Sequence, residues 1–195
     1  MPQAKSTKTY HHGDLAPSLR ASARAILKEE GLEALSLRSV ARRAGVSHAA
    51  PYRHFPSREA LLADIATEGF GDLRREIAMA ATKPGLPADR IAHIGSAYAG
   101  FAARNRGLLR LMFGPEIPNR EDFPELKVAA DAIGEEICRA LGDPILGLAA
   151  WATVHGVAIL GVENILELGQ AQAGMEVLPT RAEILLRSLF SQPLH

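Results

Sequence analysis

Cysteine is almost absent from this chain: Cys138 stands alone among 195 residues. One thiol excludes an intramolecular disulfide, and nothing calls for an oxidising compartment. Aromatic residues are scarce too, at 5%, and the alternating β-branched pattern of a half-buried strand is nowhere sustained. With alanine and leucine abundant, the expectation is an all-α fold. Residues 1–14, MPQAKSTKTYHHGD, lack the apolar core of a secretory signal. The longest apolar run, from Ile145 to Leu160, is interrupted by His155 and by glycines. It falls short of the ~18 uninterrupted apolar residues of a membrane span. A cytoplasmic chain with no membrane partner is predicted. There is no glycine-rich phosphate loop and no metal-ligand cluster, so neither an enzyme nor a cofactor is predicted. Cys138 has only the remote His155 as a possible partner, and a free core thiol is its expected role.

Net charge is missing as well, 22 Lys and Arg against 22 Asp and Glu. The cancellation hides an asymmetry. From Met1 to Ile65 there are ten basic and six acidic residues, a balance of +4; the remainder holds twelve and sixteen, a balance of −4. A basic end on an acidic body is the pattern of a polyanion-binding module joined to something else.

What is present concentrates between Ser36 and Leu62, SLRSVARRAGVSHAAPYRHFPSREALL. Leu37, Val40, Ala41 and Ala44 fall at i, i+3, i+4 and i+7, one apolar stripe of a helix. Ser36 stands before it as an N-cap, and Arg38, Arg42 and Arg43 point the other way. Gly45 ends the helix, since glycine enters the left-handed region without a Cβ penalty. Ser47 is then expected to cap a second short helix carrying His48, Tyr52, Arg53, His54 and Phe55. This is the plan of a helix-turn-helix, whose second helix reads the major groove of DNA.

Two stretches resemble a known family. Leu15 to about Ile65 resembles the DNA-binding domain of TetR-type transcriptional regulators. The resemblance rests on SLRSVARRAGVS (36–47), YRHFPSREALL (52–62) and a preceding helix ending in Glu-Gly-Leu. Downstream, WATVHG (151–156) is similar to the Trp-His-Gly signature of one C-terminal domain type found on such regulators. The resemblance implies a repressor that leaves a pseudo-palindromic operator on double-stranded DNA when a small apolar effector binds, and that works as a homodimer. It also implies that Tyr52 contacts a phosphate and that Arg58 is the basic residue opening the fourth helix. Within the same class, an activator or a regulator without a small-molecule ligand is the alternative. From another class, the alternative is a helical enzyme or protein-interaction module with a non-functional DNA-binding domain.

Three segments follow: a disordered basic arm at 1–13, a helix-turn-helix domain at 14–65, and a helical effector-binding and dimerisation domain at 66–195. About nine helices are predicted. The first ends at Gly31, and the fourth is capped by Ser57 and runs to about Thr82, where Lys83-Pro84-Gly85 breaks it. Others are expected at 87–104, 108–113, 125–141, 145–168 and 180–190. In the arm, Lys5, Lys8, His11 and His12 either track a groove or phosphate, or have no role.

In the recognition helix, His48, Ala49 and Ala50 form the first turn. His48 is the polar group there for an acceptor on a base, Ala49 fits a thymine methyl, and Arg53 pairs with guanine or lies along the backbone. Ser36, Arg38 and Ser47 are the other expected phosphate donors. Phe55 is expected in the core, and His54 as a positioned structural histidine more than a base reader. Pro51 departs from the family pattern, which more often has an aliphatic residue. It lacks an N–H and clashes with the carbonyl four residues back, at Ser47. Where the helix begins, and which of residues 48–50 meets bases, stays open.

The segment 145–169 is apolar on nearly every face and must be buried all round. A second subunit readily supplies one face, with Ile184, Leu185, Leu189 and Phe190 of the last helix beside it. Gly147, Gly156 and Gly161, each weakening an isolated helix by ~1 kcal/mol, are expected to let the two subunits' backbones approach. Tyr98, Phe101, Met112, Phe113, Trp151 and His155 either line an apolar effector pocket or fill the core. An effector would act by population shift, with the fourth helix as lever.

Overall fold

A computed structural model of the chain describes residues 15–163, 165 and 175–190. The arm at 1–13, with Lys5, Lys8, His11 and His12, lies outside the described residues, as does most of the loop expected at 169–179. The described residues form eight α-helices and three single 3₁₀ turns, with no strand. The chain divides into two compact units, one ending at Leu61 and the other beginning at Leu62.

In the first unit, α1 (Leu15–Glu29) buries Leu19, Ala23, Ile26 and Leu27 along one stripe. α2 (Leu37–Ala44) buries Leu37, Val40, Ala41 and Ala44, the expected stripe, and ends at Gly45 with φ 70°. Its start is a reciprocal cap. The Ser39 N–H donates to Ser36 Oγ at 3.0 Å, and the Ser36 N–H donates to Ser39 Oγ at 2.9 Å. Serine thus fills the position where glutamate or glutamine usually closes a capping box. Ser36→Ala is expected to destabilise the fold by ~1 kcal/mol. The readout is a lower urea midpoint at unchanged slope; an unmoved midpoint would show that water replaces the cap without loss.

α3 (Arg58–Ala81) crosses the boundary between the units as one continuous helix. Ser57 caps it as expected, its Oγ accepting from the Ala60 N–H at 3.1 Å. The second unit continues with α4 (Pro87–Arg104), α5 (Arg106–Phe113), α6 (Pro124–Leu141), α7 (Pro144–Val162) and α8 (Leu178–Phe190). α4 packs against α7 and α8, and α6 packs against α7. Gly142, at φ 72°, ends α6, and Asp143 caps α7 by accepting from the Ile145 and Leu146 N–H groups at 2.8 and 3.0 Å. The nine expected helices become eight because one of them, the recognition helix, forms only a 3₁₀ turn.

α7 stops at Val162, short of the expected Leu168. Two cations from α5 hold that end, where the helix dipole favours positive charge. Arg106 donates to the Val162 carbonyl, and Arg110 grips Glu163 through two hydrogen bonds of 2.7 and 2.8 Å. The Ile165 N–H then reaches back five residues to the Leu160 carbonyl, which unwinds the turn.

Along α7, Gly147, Ala150, Val154, Ala158 and Val162 face inward. Ile145, Leu148 and Leu160 lie exposed on the opposite side, as do Ile184, Leu185 and Leu189 of α8. One expectation is corrected: His155 and the glycines do not keep this helix from the measure of a membrane span. No Lys, Arg, Asp or Glu lies between Pro144 and Val162, and the mean hydropathy reaches 1.9, since histidine and glycine lower the average only slightly. Core and interface helices share that composition, so it does not by itself point to a bilayer.

A second correction concerns the glycines. Gly147 lies against the backbone of Cys138, and Gly161 against the side chain of Leu178. Both serve contacts inside the chain. Only Gly156, of these three, faces open space. The Cys138 thiol turns to the Pro144 carbonyl, at 3.6 Å, rather than to His155.

Candidate nucleic-acid interface and effector region

The segment after Gly45 departs from the α-helix expected there. Residues 48–50 form a turn closed by the Ala50 N–H on the Ser47 carbonyl at 3.0 Å, and Pro51–Arg53 is a single 3₁₀ turn. Pro51 supplies the reason. Without an N–H it cannot donate to the Ser47 carbonyl, the bond that would have opened an α-helix at Ser47. The path remains right-handed: Ala50 has φ −63° and ψ −43°, and the His54 and Phe55 N–H groups both donate to the Pro51 carbonyl at 2.9 Å.

This irregular turn sorts its side chains cleanly. Pro51 and Phe55 are buried, whereas Ser47, His48, Ala49, Tyr52, Arg53 and His54 are exposed or half-exposed and Ala50 is half-buried. Proline therefore occupies the inward position in which the family more often has an aliphatic residue. Tyr52 keeps 51% of its surface exposed. A phenol, an imidazole pair and a guanidinium so presented can donate to phosphates and base edges.

The neighbours divide by how their polar atoms are used. Arg38 and Arg42 are exposed on α2, while Arg43 is paired with Glu29 at 2.7 Å and Glu30 at 3.5 Å. The Ser36 hydroxyl is engaged in the cap. Arg58 has a role the sequence does not signal: its Nε donates to the Leu35 carbonyl at 2.9 Å and its Nη2 to the Leu32 carbonyl at 3.4 Å. It ties the start of α3 to the α1–α2 turn.

In the second unit, four of the six expected effector-lining residues, Tyr98, Phe113, Trp151 and His155, lie together. The buried Tyr98 hydroxyl and His155 Nδ1 share a hydrogen bond of 2.8 Å, and the Phe113 ring lies 4.4 Å from the imidazole, centroid to centroid. Burial lowers the His155 pKa, which favours the neutral imidazole. Burial also pushes the Tyr98 phenol well above its ordinary range, offset in small part by the nearby Trp151 indole. That indole nitrogen is buried near the phenol without closing a hydrogen bond of good geometry. Met112 is buried with its sulfur against Gly69, and Phe101 is buried without a ring contact to this group. Phe70, which sequence reasoning missed, meets Phe113 edge-on at 5.1 Å. Beside it runs an open cavity of about 430 Å³ between α3 and α6, lined by none of the six. The described residues include no group of three or more His, Cys, Asp and Glu able to hold a metal.

A capped helix, a glycine turn and an exposed basic and aromatic turn, followed by a long helix, define a helix-turn-helix DNA-binding protein. Residues 19–65 match the family model of bacterial regulatory proteins of the tetR family. The chain is similar to a protein of unknown function from Rhodococcus sp. RHA1, at 32% identity over 95% of this chain and 100% of that one, with a TM-score of 0.70. In fold it is similar to the transcriptional regulator FadR from Bacillus subtilis, solved in complex with stearoyl-CoA. There the TM-score is 0.69 and the identity 15%, over 89% of this chain and 98% of that one. It is also similar to the TetR family regulator PfmR from Thermus thermophilus, with TM-score 0.61, 21% identity and coverage of 88% and 94%. No curated protein matches. The chain belongs to the TetR family and is a DNA-binding transcriptional regulator.

Proposed function

We propose that the chain is a cytoplasmic homodimeric repressor that leaves a pseudo-palindromic operator when a small apolar effector binds its C-terminal helices. The observation that carries the DNA side of this reading is the exposed run from Ser47 to His54, held out by the inward Pro51 and Phe55. In and beside it, His48, Ala49 and Ala50 meet bases, while Arg38, Ser47, Tyr52 and Arg53 hold phosphates; Ser36, its hydroxyl taken up by the cap, supports the turn together with His54 and Arg58. The DNA-binding domain spans 14–65 and the effector and dimerisation domain 66–195. The dimer reading rests on the exposed apolar stripes of α7 and α8, which a second copy covers in a two-fold, self-complementary way. The effector reading has the aromatic group around His155, and the stearoyl-CoA complex of the FadR relative, in its support.

The test is selection of bound duplexes from a random library by the purified chain. A recovered palindrome is the expected result, and its half-site spacing reports the dimer. Tyr52→Ala is expected to weaken binding to every sequence, and His48→Ala to alter base preference. Equal losses on selected and random duplexes for both variants would overturn that division. No enriched sequence at any salt concentration would favour the helical enzyme or interaction module.

A further inference from the structure

The groove between α3 and α6 is the described cavity with the clearest chemical character. Phe70, Gly71 and Arg74 of α3 form one wall, and Pro124, Glu125, Val128, Ala129 and Ala132 of α6 form the other. Its volume of about 430 Å³ falls within the ~300–1,000 Å³ range of small-molecule sites. From Pro124 to Ala132 the α6 wall runs ~12 Å at 1.5 Å per residue. Much of the lining is small and apolar, with Gly71, Ala129 and Ala132 alongside Phe70. Such a trough fits a narrow unbranched chain better than a compact ring system.

The two ends carry opposite charge. Glu125 lies at the start of α6. At the other end Arg74 enters the lining, and its Nε donates to Glu136 Oε2 at 3.1 Å, one helical turn beyond Ala132. Glu136 is the one buried charged residue among those described, 5% exposed, whereas Arg74 remains 52% exposed. Glu136 Oε2 also accepts from Arg139. Arg74 can therefore turn its guanidinium to a new anion without stranding a buried carboxylate, the step that would otherwise be costly.

We propose that this groove binds a linear apolar molecule with one anionic end, the chain lying along Gly71, Ala129 and Ala132 and the anion meeting Arg74. Glu125 sets the orientation by repelling the anion from the opposite end. The proposal deepens the effector reading and rests on it for its consequence. Phe70, Gly71 and Arg74 sit on α3, which runs unbroken from Arg58, so a pull on Arg74 loads the helix that begins in the first unit.

Titration calorimetry of the full chain with sodium decanoate and with 1-decanol tests it. Decanoate is expected to bind at least ~10-fold more tightly than decanol, as a charge-assisted contact requires. Arg74→Met, which keeps an apolar stem and removes the cation, is expected to erase that difference by weakening decanoate alone. Ala132→Trp fills the trough and is expected to abolish binding of both. Val128→Glu, at a position 69% exposed, keeps the test decisive if the tryptophan variant fails to fold; it is expected to weaken decanoate ~10-fold or more. Equal affinity for decanoate and decanol, or decanoate binding untouched by Arg74→Met and Val128→Glu, would overturn the proposal. Duplex selection is run without decanoate, so the groove and the DNA-binding reading fail separately.

Discussion

Affinity for the selected duplex is expected to fall ~10³-fold as monovalent salt rises from about 50 to about 200 mM. The figure follows from which cations the first unit leaves exposed. Arg43 is taken up by Glu29 and Glu30, and Arg58 by the carbonyls of Leu35 and Leu32. Arg38, Arg42 and Arg53 remain exposed on α2 and the 3₁₀ turn. Two copies of each in a dimer neutralise about six phosphates, giving a slope of log K against log salt near about −5. Arg53→Ala removes two of the six and is expected to flatten the slope by ~2. Fluorescence anisotropy of a labelled duplex across a salt series reads both. A slope shallower than about −2 would mean that these arginines do not face phosphates, or that a single subunit binds.

The same residues show what the sequence can and cannot announce. The α2 stripe, the Ser36 and Ser57 caps and the left-handed Gly45 are local properties, fixed by side-chain type and spacing within one or two turns. They are legible, as is the all-α fold. The recognition segment misleads because the Ser47 cap after the Gly45 turn suits an α-helix, while one missing N–H at Pro51 decides the hydrogen-bond pattern. Spacing cannot weigh that loss. Arg58 reads only as the DNA-facing basic residue opening the fourth helix, because its acceptors, the carbonyls of Leu32 and Leu35, are backbone atoms 26 and 23 residues away. Arg74 and Glu136 are invisible for the same reason: 62 residues separate them, and a buried glutamate has no mark in a helical pattern that otherwise turns charges outward. Of the expected effector residues, Tyr98, Phe113, Trp151 and His155 do come together, whereas the cavity beside them is built from Phe70, Gly71 and Arg74 of α3 and the first half of α6.

Gly147→Leu is expected to destabilise the C-terminal helices by ~3 kcal/mol or more. A Cβ at Gly147 would lie 2.7 Å from the Cys138 Cα and 2.6 Å from its sulfur, so α6 and α7 must move apart. One turn along α7, Trp151 packs over Gly134, where a Cβ would come within 2.9 Å of the ring. The two helices thus meet with glycine on alternating sides, and widening one contact opens the other. Even Gly147→Ala should lose stability, although alanine raises helix propensity by ~1 kcal/mol; the obstructing atom is backbone, which yields far less readily than a side-chain tip. Gly156→Ala is the internal control, since nothing lies within 4 Å of a Cβ there. In dilute monomer it should gain up to ~1 kcal/mol, and in the dimer it should lose that gain if the exposed stripe of α7 is the contact surface. Urea unfolding followed by far-UV circular dichroism, repeated over protein concentration, separates these cases. A Gly147→Leu midpoint within error of the parent would show that α6 and α7 do not approach as closely as their glycines demand.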